Sequence, residues 1–185
     1  MGRYVSGVTT IFLARHGETD WNVEGRWQGW ADPPLNDLGR AQARELAEQL
    51  RSTRFDAVYS SDLRRAHETA QIVAAPHEVP VTADPGLREI DVGSWSGLTR
   101  AELAERFPNG DRPDGETRDQ HRARVHATVE RIARAELGRR ILIVTHGGTM
   151  RALRGQVSDG PAHPIPNCGV IELHFRDDRL TPAIG

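Results

Sequence analysis

The sequence predicts an α/β fold, a three-layer sandwich with a largely parallel central sheet flanked by helices and a small cap segment. Three observations predict it. Apolar, β-branched runs alternate with helical periodicities along the chain. Several runs, such as "VTTIFLA" and "RILIVT", are apolar almost throughout, as strands buried on both faces are. Two of them stop abruptly at His-Gly, where ligands collect in such sheets, beyond the carboxyl ends of the strands.

The elements follow in order. "VTTIFLA" (Val8 to Ala14) reads as a buried strand. "LNDLGRAQARELAEQLRS" reads as a helix with Asn36 or Asp37 near its N-cap. Its apolar face is expected to carry Leu38, Ala43, Leu46 and Leu50, opposite Arg40, Arg44, Glu48 and Arg51. "FDAVYS" is a second short strand, and "DLRRAHETAQIVAA" a second helix with Asp62 as its expected N-cap. "TRAELAERF" is a short helix ended by "PNGDRPDG". "ETRDQHRARVHATVERIARAEL" is the longest helical pattern, with Val125, Val129 and Ile132 at core spacing and Gly138 as its stop. The strand "RILIVT", the helix "GTMRALRGQ" and a final strand "GVIELHF" complete the chain.

Composition narrows the chemistry. The 185 residues fit one domain (1–185), since domains commonly run from about 50 to about 250 residues. No stretch is apolar for long enough to span a membrane, and "MGRYVSGVTTIF" lacks the apolar core of a secretory signal. Cys168 is alone, so no internal disulfide forms and a reducing cytoplasm is the expected setting. A net charge of -2 gives no reason to bind nucleic acid or anionic lipid. All 24 basic residues are arginines. Without a lysine there is no Schiff base, no pyridoxal phosphate attachment and no lysine on an ATP phosphate.

His16, His146, Arg15 and Arg65 all follow or end predicted strands, so the fold brings them toward one crevice. Two imidazoles and two guanidiniums suit a tetrahedral dianion, because the planar guanidinium fork gives phosphate two parallel, charge-assisted hydrogen bonds. A neutral imidazole is also a nucleophile, and His16 is the better one: Gly17 lets the backbone approach and the "GETDWN" amides face the ligand. Arg15, Arg65 and a protonated His146 would then supply the positive charge that phosphoryl transfer needs. The leaving alkoxide needs a proton. Glu89, in "GLREIDVGSWSG", is one source, with Asp91 and Glu18 as competitors that composition does not separate.

"ARHGETDWN", "SSDLRRAHETA", "LREIDVGSWSG" and "VTHGG" together resemble, in order, the four motifs of the histidine phosphatase superfamily, the phosphoglycerate-mutase-like enzymes. The resemblance spans essentially the whole chain. It implies a phosphohistidine nucleophile at His16, a phosphate pocket of Arg15, Arg65 and His146, and Glu89 as proton donor. Arg65, not Arg64, takes the motif position before Ala66. Asn22 and Gln28 match positions that touch phosphate or substrate in phosphatase members; Gly17 and Gly147 complete the expected substrate contacts. "DGET" (Asp114 to Thr117) resembles the segment that opens the long helix. About 17 residues lie between Gly97 and Gly115, where relatives often carry a longer cap, so a short lid is expected at about 97–115. With no clustered Arg, Lys and Tyr after "WSG" to hold a second acid group, the resemblance favours the phosphatase branch over the mutases. It extends to enzymes acting on phosphoserine, α-ribazole phosphate and glucosyl-phosphoglycerate, and does not separate them.

The expected activity is thus metal-independent hydrolysis of a small phosphorylated metabolite, with inorganic phosphate as product and no cofactor. Arginines beside the two histidines would repel a metal ion, so no metal site is expected. A cofactor-dependent phosphoglycerate mutase and a non-catalytic phosphate-binding protein are the alternatives. An edge strand offers a route to a homodimer, without a residue that marks it. His67, His77, His121, His126, His163 and His174 lack a motif context and read as structural or exposed. Trp27 and Trp30 are the tryptophans expected at the mouth of the site.

Overall fold

The computed structural model describes residues 7–154 and 165–183. In chain order the elements are β1 (Thr9–Arg15), α1 (Asp20–Val23), α2 (Asp37–Leu50), β2 (Ala57–Ser60), α3 (Arg64–Ala74), β3 (Val81–Ala83), α4 (Arg100–Arg106), α5 (Arg118–Ala135), β4 (Arg140–Thr145), α6 (Gly147–Leu153), β5 (Val170–Arg176) and β6 (Arg179–Pro182). The six strands form one sheet in the order β3-β2-β4-β1-β5-β6. β3, β2, β4 and β1 run parallel, and β5 and β6 add an antiparallel hairpin at one side.

Side chains alternate across each strand, so the apolar runs feed two cores. Ile11, Leu13, Ile141 and Ile143 pack with Val125, Val129 and Ile132 of α5 and Met150 and Leu153 of α6. Ala14, Leu142 and Val144 pack on the other face with Leu46 of α2 and Ala66, Ala70 and Val73 of α3. Ile141 through Val144 are wholly buried, which is why β4 reads as unbroken apolar sequence. The layers are therefore α5 and α6, the sheet, then α2 and α3.

Helix ends follow side-chain chemistry. Asn36 caps α2 through the Gly39 amide, and Thr117 and Gln120 form a reciprocal capping box at α5. Gly138 follows α5 with a φ of 76°, a conformation that costs glycine least.

Three sequence expectations change. Leu38 is 55% exposed, and the buried stripe of α2 is Gly39, Ala43, Leu46 and Ala47. The stripe is offset because Gly39 presses on the loop after β1: a Cβ there would stand 2.1 Å from the Glu18 carbonyl oxygen. Asp62 does not cap α3, whose N-cap is Leu63. Instead Arg88 donates to both Asp62 carboxylate oxygens, at 2.7 and 2.5 Å, which holds the Asp62 pKa below its ordinary value. "GVIELHF" is not the last strand, because the turn at Asp177 and Asp178, both at positive φ, returns the chain as β6. α1, a four-residue helix, interrupts "GETDWN". His163 and the end of "GTMRALRGQ" lie outside the described residues. Among the described residues no helix is long and apolar enough to cross a membrane.

Candidate active site

The sheet register assembles the site. In the parallel pair of β1 and β4, Arg15 lies opposite Thr145, so the next residues, His16 and His146, leave the sheet side by side. The His16 amide donates to the Thr145 carbonyl at 3.0 Å, and the imidazole centroids are 5.2 Å apart, edge to face. β2 ends level with them, its Ser60 opposite Val144, and the following turn starts α3 so that Arg65 points inward from its first turn. Arg65 is 1% exposed while Arg64 is exposed, so the arginine next to Ala66 is the one in the site.

The turn at 165–169 braces this corner. The Cys168 amide donates to the Arg15 carbonyl, Asn167 Nδ2 to the His16 carbonyl at 3.0 Å, and Arg15 Nη1 to the Ile165 carbonyl at 2.6 Å. Arg65 donates to the carbonyls of Gly29 at 2.9 Å and Ala31 at 2.8 Å. Those bonds use some guanidinium N–H groups and leave others. Arg15 Nε, Arg65 Nε, both His146 ring nitrogens and Gln28 Oε1 are buried with no hydrogen-bond partner among the described residues. Buried polar atoms are ordinarily paired, so five orphans around one cleft mark a place built for a polar ligand.

The two histidines differ in how they are held. His16 Nδ1 stands 2.6 Å from the Gly17 carbonyl, an acceptor, so Nδ1 carries the proton and Nε2 keeps its lone pair. Burial, then Arg65 and Arg15, hold the His16 pKa well below its ordinary 6.5, against the pull of the Gly17 carbonyl. His146 is also held well below 6.5, by burial first and then by Arg65, His16 and Arg15. The expected protonated His146 is thus corrected: for an imidazole buried beside two guanidiniums, a third positive charge is too costly. Burial lowers the Arg65 pKa to about 10, which still leaves it charged at neutral pH.

Glu89 reaches the cleft from the loop after β3, and that loop is tightly held. Thr145 Oγ1 donates to the Leu87 carbonyl at 2.7 Å, while Trp30 Nε1 and Arg124 Nη2 donate to the Glu89 carbonyl at 2.9 and 3.1 Å. The carboxylate accepts from the Gly148 amide at 2.8 Å and from its neighbour Ile90 at 2.9 Å. Glycine at 148 leaves room for that carboxylate, since a Cβ there would sit 2.2 Å from Glu89 Oε1 and displace it. The competitors are occupied elsewhere: Asp91 Oδ1 accepts from the Gly93 amide and Glu18 Oε1 from Asn36.

The cleft holds about 320 Å³, the size of a small metabolite, and Arg15, His16, Arg65, Glu89 and His146 line it. So do Asn22, Gln28 and Gly147. Gly17 is a correction. Its amide donates to Thr69 Oγ1 at 3.1 Å, and it packs on Gly39, where a Cβ would meet the carbonyl oxygen at 2.4 Å. The next two amides of "GETDWN" are likewise taken, by Gln42 and Asn22, so glycine serves packing there and not the ligand. Trp27 lines the mouth, joined by Trp21; Trp30 instead braces Glu89 and stacks under Arg88, 4.8 Å from the ring centre.

Two groups of residues escaped sequence reasoning. Arg100 and Arg151 add positive charge at the mouth, and Arg26 lines it with its guanidinium paired to Glu24 and Glu102. Arg26 bonds Gly97, Glu24 and Glu102 and so ties the 97–102 segment to the loop before it. His121 is 5% exposed, with Nε2 3.8 Å from Glu89 Oε1. Its position four residues before Val125, on the buried stripe of α5, is the signal that marks it in the sequence. Among the described residues no group of three His, Cys, Asp or Glu side chains is placed to hold a metal ion.

Comparisons with known proteins match nearly the whole chain. A family model described as the histidine phosphatase superfamily (branch 1) matches residues 11–183. The chain is 39% identical over 189 residues to a metal-independent phosphoserine phosphatase of Arabidopsis thaliana, covering 94% of this chain and 79% of that one. Among solved structures it is similar to Bacillus stearothermophilus YhfR, with a TM-score of 0.87 at 33% identity over 95% of this chain and 96% of that one. A mycobacterial glucosyl-3-phosphoglycerate phosphatase gives 0.84 at 30% identity, over 95% and 98%. With its fold and residues 11–183 matched, the chain belongs to the histidine phosphatase superfamily.

Proposed function

We propose that the chain hydrolyses small phosphomonoesters, without a metal ion, through a phosphohistidine on His16. One observation carries the reading. The Gly17 carbonyl fixes the His16 proton on Nδ1, so the unprotonated Nε2 of a neutral imidazole stands beside two guanidiniums with unpaired N–H groups. Nε2 attacks phosphorus, and the ester P–O bond breaks. Arg15, Arg65 and a neutral His146 donate hydrogen bonds to the phosphoryl oxygens. Glu89 gives its proton to the leaving alcohol oxygen, then takes one from the water that attacks the phosphohistidine, releasing inorganic phosphate and free His16. The guanidiniums supply the positive charge that a metal would otherwise bring.

Arg100 and Arg151 at the mouth support a substrate whose alcohol carries an acid group, as phosphoserine and glucosyl-3-phosphoglycerate do, the substrates for which the two relatives are named. The 97–115 segment, with α4 and its Arg100 at the cleft, acts as the short lid. A cytoplasmic setting belongs to the same proposal, supported by the single, free Cys168.

The test is phosphate release from a panel of phosphomonoesters with EDTA present and no bisphosphate primer. The panel holds phosphoserine, 3-phosphoglycerate, sugar phosphates, a ribazole phosphate and p-nitrophenyl phosphate. Release is expected, fastest for the acids. Activity on 3-phosphoglycerate that needs a bisphosphate and returns a rearranged product would replace the phosphatase by a mutase. Binding without turnover on every member would leave a phosphate-binding protein.

A further inference from the structure

Glu89 has two duties in the proposed cycle, acid and then base, and both need its carboxyl in one place. Two backbone amides hold it, one on each oxygen: Ile90 on Oε1 and Gly148 on Oε2. A third group stands behind them. His121, in the first turn of α5, is buried between that helix and α6. Its Nε2 is 3.2 Å from Thr149 Oγ1 and 3.8 Å from Glu89 Oε1. The Thr149 hydroxyl spends its own proton on the Arg88 carbonyl, at 3.1 Å. Oγ1 can therefore only accept from the imidazole, so the His121 proton sits on Nε2, the nitrogen next to Glu89.

The surroundings are mixed in charge. Glu89 reaches His121 from the loop after β3, Glu116 and Arg124 from α5 and its entry, and His146 from the end of β4. Burial lowers the His121 pKa and Glu89 pulls the other way, so the ring is a neutral donor at working pH.

We propose that His121 is a positioning residue for Glu89: its ring, fixed by the Nε2–H that Thr149 accepts, packs 3.8 Å from Oε1 and limits rotation of the carboxyl away from the orientation that protonates the leaving alcohol. The inference rests on Glu89 being the proton donor. His121 touches no reacting atom and works through Glu89 alone.

The test separates this role from a structural one by leaving group. An alkyl ester such as phosphoserine expels a poor alkoxide and needs Glu89's proton, whereas p-nitrophenolate leaves almost without help. The readout is kcat/KM for phosphoserine divided by kcat/KM for p-nitrophenyl phosphate, which reports formation of the phosphohistidine. In Glu89→Gln that ratio should fall by about 100-fold or more. In His121→Leu it should fall about tenfold, the scale of a misplaced acid. His121→Gln, whose amide can donate to Thr149 in place of Nε2 and keep a side chain against the carboxyl, should restore most of it. Thr149→Val removes the anchor and should lower the ratio less. Thermal unfolding and vanadate binding check that the fold and the phosphate pocket persist. A His121→Leu protein that loses both activities equally overturns the proposal. If that variant does not fold, Thr149→Val decides: an unchanged ratio overturns it. An unchanged ratio in Glu89→Gln removes instead the donor role beneath it.

Discussion

The same dipeptide ends β1 and β4, yet His16-Gly17 and His146-Gly147 are built for different work. The first pair is clamped: Nδ1 of His16 is tied to the Gly17 carbonyl, and the Gly17 amide to Thr69. The second is open. Neither His146 nitrogen has a partner among the described residues, and Gly147 lines the cleft as α6 begins. A nucleophile must present one lone pair along one line, which the clamp ensures. A group that follows charge as it moves over the phosphoryl oxygens gains from an unpaired N–H that the ligand itself will engage.

Breaking each side should give unequal losses. His16→Ala removes the attacking atom and should cut turnover by at least about 10⁴-fold, with no acid-labile phosphoryl adduct trapped on the protein. His146→Ala should cost about 10²- to 10³-fold, the usual scale for one donor to a charged transition state, and the adduct should still form slowly. Rapid-quench trapping distinguishes them. An adduct in the His16 variant, or equal losses in both, would mean the clamped and open histidines are not nucleophile and stabiliser.

The phosphate end of the site was legible because its information is local: two strands ending in His-Gly, Arg15 directly before the first pair and Arg65 in the helix after β2, with parallel pairing to bring these ends together. Val125, Val129 and Ile132 were equally legible, since α5 repeats them at helical spacing against a buried sheet. What depends on how elements dock was not. His121 acquires its role only where α5 meets α6 and the Glu89 loop, Asp62 leaves its cap position for Arg88, and Gly17 answers to Gly39 of α2. Each is a contact between residues distant in sequence, and helical or strand periodicity can say which side chain is buried but not which partner it meets.

The shared feature of the two histidines also has a measurable cost. Both are held neutral in the folded protein, while in the unfolded chain both take up protons near 6.5. Below that pH the unfolded state binds more protons, so stability is full above about 6.5 and falls as the pH drops toward the depressed folded values. Each group adds up to about 1.4 kcal/mol per pH unit in that window. Denaturant unfolding between pH 7.5 and 5.5 should show the loss, and His146→Asn should reduce its slope by about one histidine's share. A flat profile would contradict the burial-driven neutrality of the pair.

The smallest expected effect tests the glycines. At Gly17 a methyl group would stand 2.4 Å from the Gly39 carbonyl oxygen, a backbone atom that cannot step aside without moving α2. Gly17→Ala should therefore destabilise by about 1–3 kcal/mol, as overpacking does. At Gly147 the nearest atom to a new Cβ is the end of the Arg151 side chain, at 3.4 Å, and φ is unconstrained toward glycine. Gly147→Ala should stay within about 0.5 kcal/mol of the parent. The two midpoints in urea measure the difference directly. If Gly147→Ala is the costlier, the close packing that defines the clamped end has been assigned to the wrong glycine, and the contrast between the two strand ends must be redrawn from α6.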